Sequence, residues 1–149
     1  MDGRHLTFLL WAALVSLLVV SSPPANATLG GVPSATRPSA RAQIKHENYT
    51  VQEMGSGANT VREFVSPSGQ VFGLAWNGLS RPNLSQLLGS YFDEYQKAAK
   101  VAGRARGHRA HSLKSDNVVV EESGHMRALK GRAYVPALVP QGVSVDEIK

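Results

Sequence analysis

Four cations stand in one short stretch that holds no acid: Arg104, Arg106, Arg109 and Lys114, with His108 and His111 among them. Such a segment can grip phosphate, sulfate or carboxylate groups, because each guanidinium offers paired N–H donors. A solvated basic loop has the same composition, so two readings stand side by side. His108 and His111 lie three residues apart, a spacing that brings two imidazoles to one metal ion only on a helical turn. No third ligand accompanies them, and the neighbouring arginines repel a cation. No metal is assigned.

A second group is Arg62, Glu63, Trp76 and Arg132. Arg62 and Glu63 are adjacent in a strand-like run, so they point to opposite faces and one of them turns inward. A Glu63–Arg132 ion pair within the sheet would satisfy both and would mark a cleft. Trp76 falls at a strand end and is expected to be exposed, where an indole stacks on a sugar ring or a peptide. Tyr91 and Tyr95 share a helix stripe and are expected in the core.

Catalytic signals are weak. Glu53, Glu63, Asp93 and Glu94 supply carboxylates, and Ser123-Gly124-His125 puts a hydroxyl near an imidazole. Ser123 sits in no Gly-x-Ser-x-Gly elbow, and Ser-Gly is an ordinary turn pair. No glycine-rich phosphate loop is present. The chain has no cysteine, which excludes thiol nucleophiles, thiolate metal sites and disulfides. No catalytic residue and no cofactor are assigned.

These groups need a scaffold and a compartment. Arg4 and His5 precede an apolar run, Phe8–Val20, interrupted only by Ser16. Ser21-Ser22-Pro23-Pro24 breaks it, and Ala25-Asn26-Ala27 has the small-x-small pattern of a signal-peptidase site. Residues 1–27 read as a signal peptide, with cleavage between Ala27 and Thr28. The run is shorter than the about 20 residues of a spanning helix, and no later stretch is apolar enough to cross. The protein is therefore expected in the periplasm or outside the cell. The whole chain carries a net charge of +5. Outside the cytoplasm that suggests an anionic lipid or polysaccharide, although the same charge serves solubility. Nucleic acid fits poorly, since no aromatic residue interleaves the basic run.

Residues 28–43 are rich in Gly, Pro, Ser and Ala and read as a flexible lead-in. A single domain is expected over 44–149. Tyr49–Val51, Thr60–Val65 and Gln70–Trp76 are strand candidates, with Ser66-Pro67-Ser68-Gly69 as the turn between the last two. Val61 and Val65 share a strand face with Glu63, so alternation does not name the buried face.

Asn83 opens the clearest helix, Leu84–Ala102, with Gln86 placed for a capping box. Leu84, Leu87, Leu88, Tyr91, Phe92, Tyr95, Ala98 and Ala99 fall on one face, and Gly103 ends it. Gly89 within the helix would be explained by a close approach of its backbone to the sheet. Gly103–Ser115 reads as irregular. Asn117–Val120 is a strand, Ser123-Gly124 a turn, and His125 onward a return strand. Ser144–Ile148 suits a last helical turn. The predicted fold is α+β: a small, mostly antiparallel sheet, a meander plus a C-terminal hairpin, packed against one long amphipathic helix.

Several runs carry a family resemblance: Tyr49-Thr50-Val51-Gln52-Glu53, Thr60–Val65, Gly69-Gln70-Val71-Phe72 leading to Trp76, and Pro82–Gly89. Gly124-His125-Met126-Arg127 and Gly131–Pro136 continue it. On these the chain resembles a proteobacterial family of exported proteins described as domain of unknown function 2844. The resemblance implies a Gram-negative exported protein. It brings no activity, cofactor or site residue.

The reading that follows is a non-catalytic envelope binding or interaction module. Its anionic contact would be Arg104, Arg106, His108, Arg109, His111 and Lys114, and its partner an envelope protein or an anionic lipid or polysaccharide. The alternative is a small periplasmic enzyme, or an enzyme accessory, using a sheet cleft near Glu63 and Arg132.

Overall fold

A computed structural model describes residues 28–33, 40–103 and 110–149. Among these residues seven strands form one antiparallel sheet. They are β1 (Ala40–Lys45), β2 (Thr50–Ser56), β3 (Asn59–Val65), β4 (Val71–Gly78), β5 (Ala110–Lys114), β6 (Val119–His125) and β7 (Ala128–Tyr134). Their spatial order is β1-β2-β3-β4-β7-β6-β5. The chain runs a four-strand meander, crosses by a helical segment to the far edge, and returns strand by strand to β4.

The helical segment comprises α1 (Leu84–Leu88), a 3-10 turn at Gly89–Tyr91, and α2 (Phe92–Ala102). Asn83 caps α1, its side chain accepting from the Ser85 and Gln86 N–H groups. The single helix expected over 84–102 is interrupted at Gly89, which holds φ +52 and ψ −120. Only glycine adopts such a backbone without strain. The close approach expected there is made to Thr28 rather than to the sheet: a Cβ on Gly89 would overlap the Thr28 side chain. Gly103 closes α2 at φ 67, as its place in the sequence predicts.

Both faces of the sheet are covered. On one, Val61, Val65, Leu74, Trp76, Val120 and Ala133 pack under Leu84, Leu87 and Leu88, with Phe92 and Tyr95 at the margin. On the other, Tyr49, Val51, Phe64, Phe72 and Ala75 pack under Ile148. This is why alternation failed in β3. A strand buried on two sides has no polar face to alternate with, and Glu63 is itself fully buried on the helix side.

Three expectations are corrected. Residues 28–33, read as flexible lead-in, tie into the fold: Leu29 is buried, its N–H donates to Leu87 O at 2.8 Å, and Gly30 N–H donates to Val71 O at 2.8 Å. The lead-in also enters the sheet as β1 from Ala40. Within the irregular stretch Gly103–Ser115, residues 110–114 form β5, so the C-terminal hairpin is a three-strand meander. The β6–β7 turn falls at Met126-Arg127, not Ser123-Gly124, and Arg127 takes φ 65 there.

Candidate functional site

Strand register sets a polar row across the second face. Glu53 pairs with Arg62, Arg62 with Ala75, Ala75 with Arg132, Arg132 with Glu121, and Glu121 with Ser112. The row is nearly symmetric about Ala75. On each side an arginine points its Nε at a glutamate: Arg62 to Glu53 Oε2 at 3.0 Å, Arg132 to Glu121 Oε2 at 2.6 Å. Partial burial works against the Arg132 charge, yet the hydrogen bond and charge of Glu121 raise its pKa above the ordinary value.

The two arginines also hold the C-terminal segment against the sheet. Arg62 Nη1 donates to Lys149 O at 2.8 Å, and Arg132 Nη1 donates to Val145 O at 2.7 Å. Between these clamps Ile148 is fully buried. It fits because Gly73 lies beneath it; a Cβ at Gly73 would come within 2.9 Å of Ile148 Cδ1. Residues 144–149 thus form a strap. A capping box shapes it: Asp146 N–H donates to Ser144 Oγ at 3.3 Å and Ser144 N–H to Glu147 Oε1 at 3.1 Å. Tyr49 donates its phenol proton to Glu147 Oε2 at 2.6 Å. Burial, with that bond and the Glu147 charge, pushes the Tyr49 phenol up to about 12. The same bond, with the Ser144 N–H, holds the Glu147 carboxyl below its usual range.

Beyond the strap lies a groove of about 810 Å³. One wall is the strap and the row just described. The other is the next row, two residues along each strand: Asn77 pairs with Lys130, Lys130 with Ser123, and Ser123 with Ala110. Asn77 and Lys130 are exposed.

A second polar cluster stands on the helix face. Arg81 Nε donates to Glu122 Oε1 at 2.8 Å, and its Nη2 bonds Glu122 Oε2 and the Tyr95 hydroxyl. The Glu122 bond raises the Arg81 pKa above its ordinary value. This knot ties the loop after β4 and helix α2 to β6. Glu94 similarly accepts from Asn117 N–H at 2.8 Å and from its side-chain amide at 3.1 Å.

The structure separates the residues that the sequence grouped into one cleft. Arg62 and Arg132 both line the groove. Glu63 does not: it lies buried on the opposite face, and the expected Glu63–Arg132 pair is replaced by Glu121–Arg132. Trp76 is 3% exposed, not open at a strand end. Its ring packs on the helix side beside Gly131. Of the basic set, Arg104, Arg106, His108 and Arg109 lie outside the described residues. His111 and Lys114 stand on β5 at positions of opposite parity, so they face opposite sides and share no patch. Among the described residues no group of three or more His, Asp or Glu side chains is placed to hold a metal ion.

Sequence reasoning missed the strap and its two clamps. One signal was there: Ser144-Val145-Asp146-Glu147 is a Ser-x-x-Glu capping box. Among the described residues no helix is long and apolar enough to cross a membrane. No curated protein and no solved structure matches the chain. A family match covers residues 25–148, and with it nearly all of the sheet, the strap and the groove: the chain belongs to the family described as protein of unknown function (DUF2844).

Proposed function

We propose that this chain is an exported, non-catalytic binding module of the bacterial envelope, and that it contacts an anionic envelope component through the strap-covered face of the sheet. The observation that carries the reading is the state of the groove's carboxylates. Glu121 and Asp146 are engaged by Arg132, Glu122 by Arg81, and Glu53 at the margin by Arg62. A carboxylate paired with a guanidinium is a poor general base, because the ion pair favours the charged form it would have to give up. Apart from the Asp146 carboxylate on the strap, which lies 3.5 Å from Arg132 Nη1, the side chains left to face a ligand are cationic or neutral, among them Lys130, Asn77, Ser112 and Ser123.

Export rests on the signal at residues 1–27, with cleavage between Ala27 and Thr28. That cut would leave the buried Leu29 in the mature chain. The basic run that includes Arg104, Arg106 and Arg109 leads directly into Ala110, on the groove wall, and adds long-range attraction for anions. The enzyme alternative needed Glu63 and Arg132 in one cleft, and they lie on opposite faces.

The test is crosslinking of the exported protein in its native envelope, with mass spectrometry at low and high salt. The expected result is capture of an anionic lipid or polysaccharide, lost at high salt as screening shortens the reach of the charges. Changing Arg104, Arg106 and Arg109 together to Ser should weaken capture. A defined protein partner that survives high salt, or no capture at all, overturns the reading.

A further inference from the structure

The groove has a shape as well as a charge. It runs across the strands rather than along them. From Arg62 on β3 to Ser112 on β5 the path crosses β4, β7 and β6, four steps of about 4.8 Å, or roughly 19 Å. Its two bounding rows are two residues apart along each strand, about 7 Å. A trough of that form suits a ribbon-like polymer several units long.

The donors along it are of two kinds. Arg62 and Arg132 spend Nε and Nη1 on their glutamates and on the strap, where Arg132 Nη1 also lies 3.5 Å from Asp146 Oδ1. Among the described residues each Nη2 is left without a protein acceptor. Lys130, on the opposite row, makes no ion pair among the described residues and is exposed. These three cations can take carboxylates. Asn77 on β4 stands between the cations of β3 and β7, Ser123 on β6 and Ser112 on β5 continue beyond them, and all three can pair with hydroxyl groups, as donor or acceptor.

Other occupants fit less well. An acyl chain needs an apolar seat, and the seat on this face is filled by Ile148. A nucleobase needs a ring to stack on, and the aromatic residues bordering the groove among the described residues, Trp76 and His111, stand in the register row that faces the other side of the sheet. A neutral polymer would leave Lys130 unpaired.

We propose that this groove binds a short run of an acidic polysaccharide, laid across the strands from β3 to β5. Lys130, Arg62 and Arg132 take its carboxylates, and Asn77, Ser112 and Ser123 take its hydroxyls. The proposal rests on the binding-module reading and names the ligand class of that site.

The test is an NMR titration of the protein purified after export from cells expressing the full chain. The probes are tetragalacturonate, maltotetraose as the neutral match, and phosphatidylglycerol vesicles. Tetragalacturonate should shift the amides of Asn77, Ser112, Ser123 and Lys130, and maltotetraose should not. Lys130→Ser should weaken tetragalacturonate about tenfold, the scale of one lost charge-assisted bond. Asn77→Ala should weaken it a few-fold. Both side chains are exposed, so an unchanged thermal midpoint shows that the fold is intact.

Shifts outside the groove overturn the proposal, as does a Lys130→Ser variant that binds as tightly as the parent. Equal response to maltotetraose, or binding to vesicles but not to tetragalacturonate, also overturns it. In those cases envelope crosslinking can still return an anionic component, and the broader reading survives. If crosslinking returns nothing anionic while tetragalacturonate fills the groove, the broader reading falls and the site assignment stands.

Discussion

The two faces of this sheet are covered by different means. On one, Leu84, Leu87 and Leu88 of α1 press a row of apolar side chains onto Val61, Leu74, Trp76 and Val120, and the N-terminal strip at Leu29 seals the margin. On the other, a strap of six residues is fixed by one isoleucine, two guanidinium groups and a tyrosine hydroxyl. The main-chain hydrogen bonds from Val139 onward are local turns: Val143 N–H to Pro140 O, Glu147 N–H to Ser144 O. None joins residues 144–149 to the sheet ladder among the described residues. The helix side is therefore a core, and the strap side a latch. Elements held by few apolar contacts and no ladder open locally before the whole fold does.

The largest effects belong to the core. Leu88 is fully buried between α1 and the sheet. Leu88→Ala should cost about 3 kcal/mol through lost transfer energy and the cavity left behind, read as a fall in the denaturant midpoint at unchanged slope. Amides on β3, β4 and β7 should lose protection together. A loss confined to α1 would mean the helix is no more integral than the strap.

The strap's knob is as buried, but its removal should read differently. Ile148→Ala should lower global stability by about 2 kcal/mol. The distinctive sign is local. Hydrogen exchange at Asp146 and Glu147 should accelerate well before that of β4 or β7. If strap and sheet amides exchange in step, the two coverings are one cooperative unit and the contrast between them is broken.

These differences also explain what the sequence disclosed. The helix was legible because its covering is repetitive: leucines at helical spacing, Asn83 at the start, Gly103 at the end. Its break at Gly89 was not, since the cause is Thr28, a residue distant in sequence that meets the helix only in the fold. The inner strands were legible from Val, Phe and Thr content, but β5 was not. Ala110–Lys114 is a polar edge strand held by β6 and by α2, and nothing in its own composition marks it. Glu63 and Arg132 looked like partners because each is a charge on an apolar strand. Which face each takes depends on register, and Arg132 finds Glu121 directly opposite on β6. The strap was least legible, since its attachments reach 13 positions back to Arg132, 87 to Arg62 and 98 to Tyr49, and no local pattern names them.

A smaller effect sharpens the comparison on the helix side. Asn83 accepts from the first free N–H groups of α1, at 3.1 Å for Ser85 and 3.4 Å for Gln86. Asn83→Ala should cost about 1 kcal/mol, and Asn83→Ser much less, because serine also caps. Thermal melts of the pair separate capping from any other role of the amide. The strap, whose own Ser144 cap is exposed, should be untouched by either change.

The smallest effect is the most specific to the latch. Glu147 has its pKa lowered by the Tyr49 hydrogen bond and the Ser144 N–H. A group with a depressed folded pKa lends its stability above the unfolded value, here the ordinary 4.5, and loses it as pH falls through the lower folded value. Tyr49 works in the opposite sense. Its phenol is raised from 10.0 to about 12, so its contribution is complete below 10 and fades as pH rises through 12. The strap should therefore be tightest between about 4.5 and 10 and should loosen on either side, as followed by solvent access to Ile148 or by exchange of the 144–149 amides. Glu147→Gln should remove the acid limb, because an amide still accepts from Tyr49 but carries no charge to lose. Tyr49→Phe should remove the alkaline limb and weaken the plateau. The helix face has titrating ties too, Arg81 with Glu122 and Tyr95 and Glu94 with Asn117, but they sit at α2 and the loop after β4; Leu84, Leu87 and Leu88 of α1 do not titrate, and their packing should hold across the range in which the strap loosens. Loosening of both faces at one pH would show that the latch reports a global transition rather than its own.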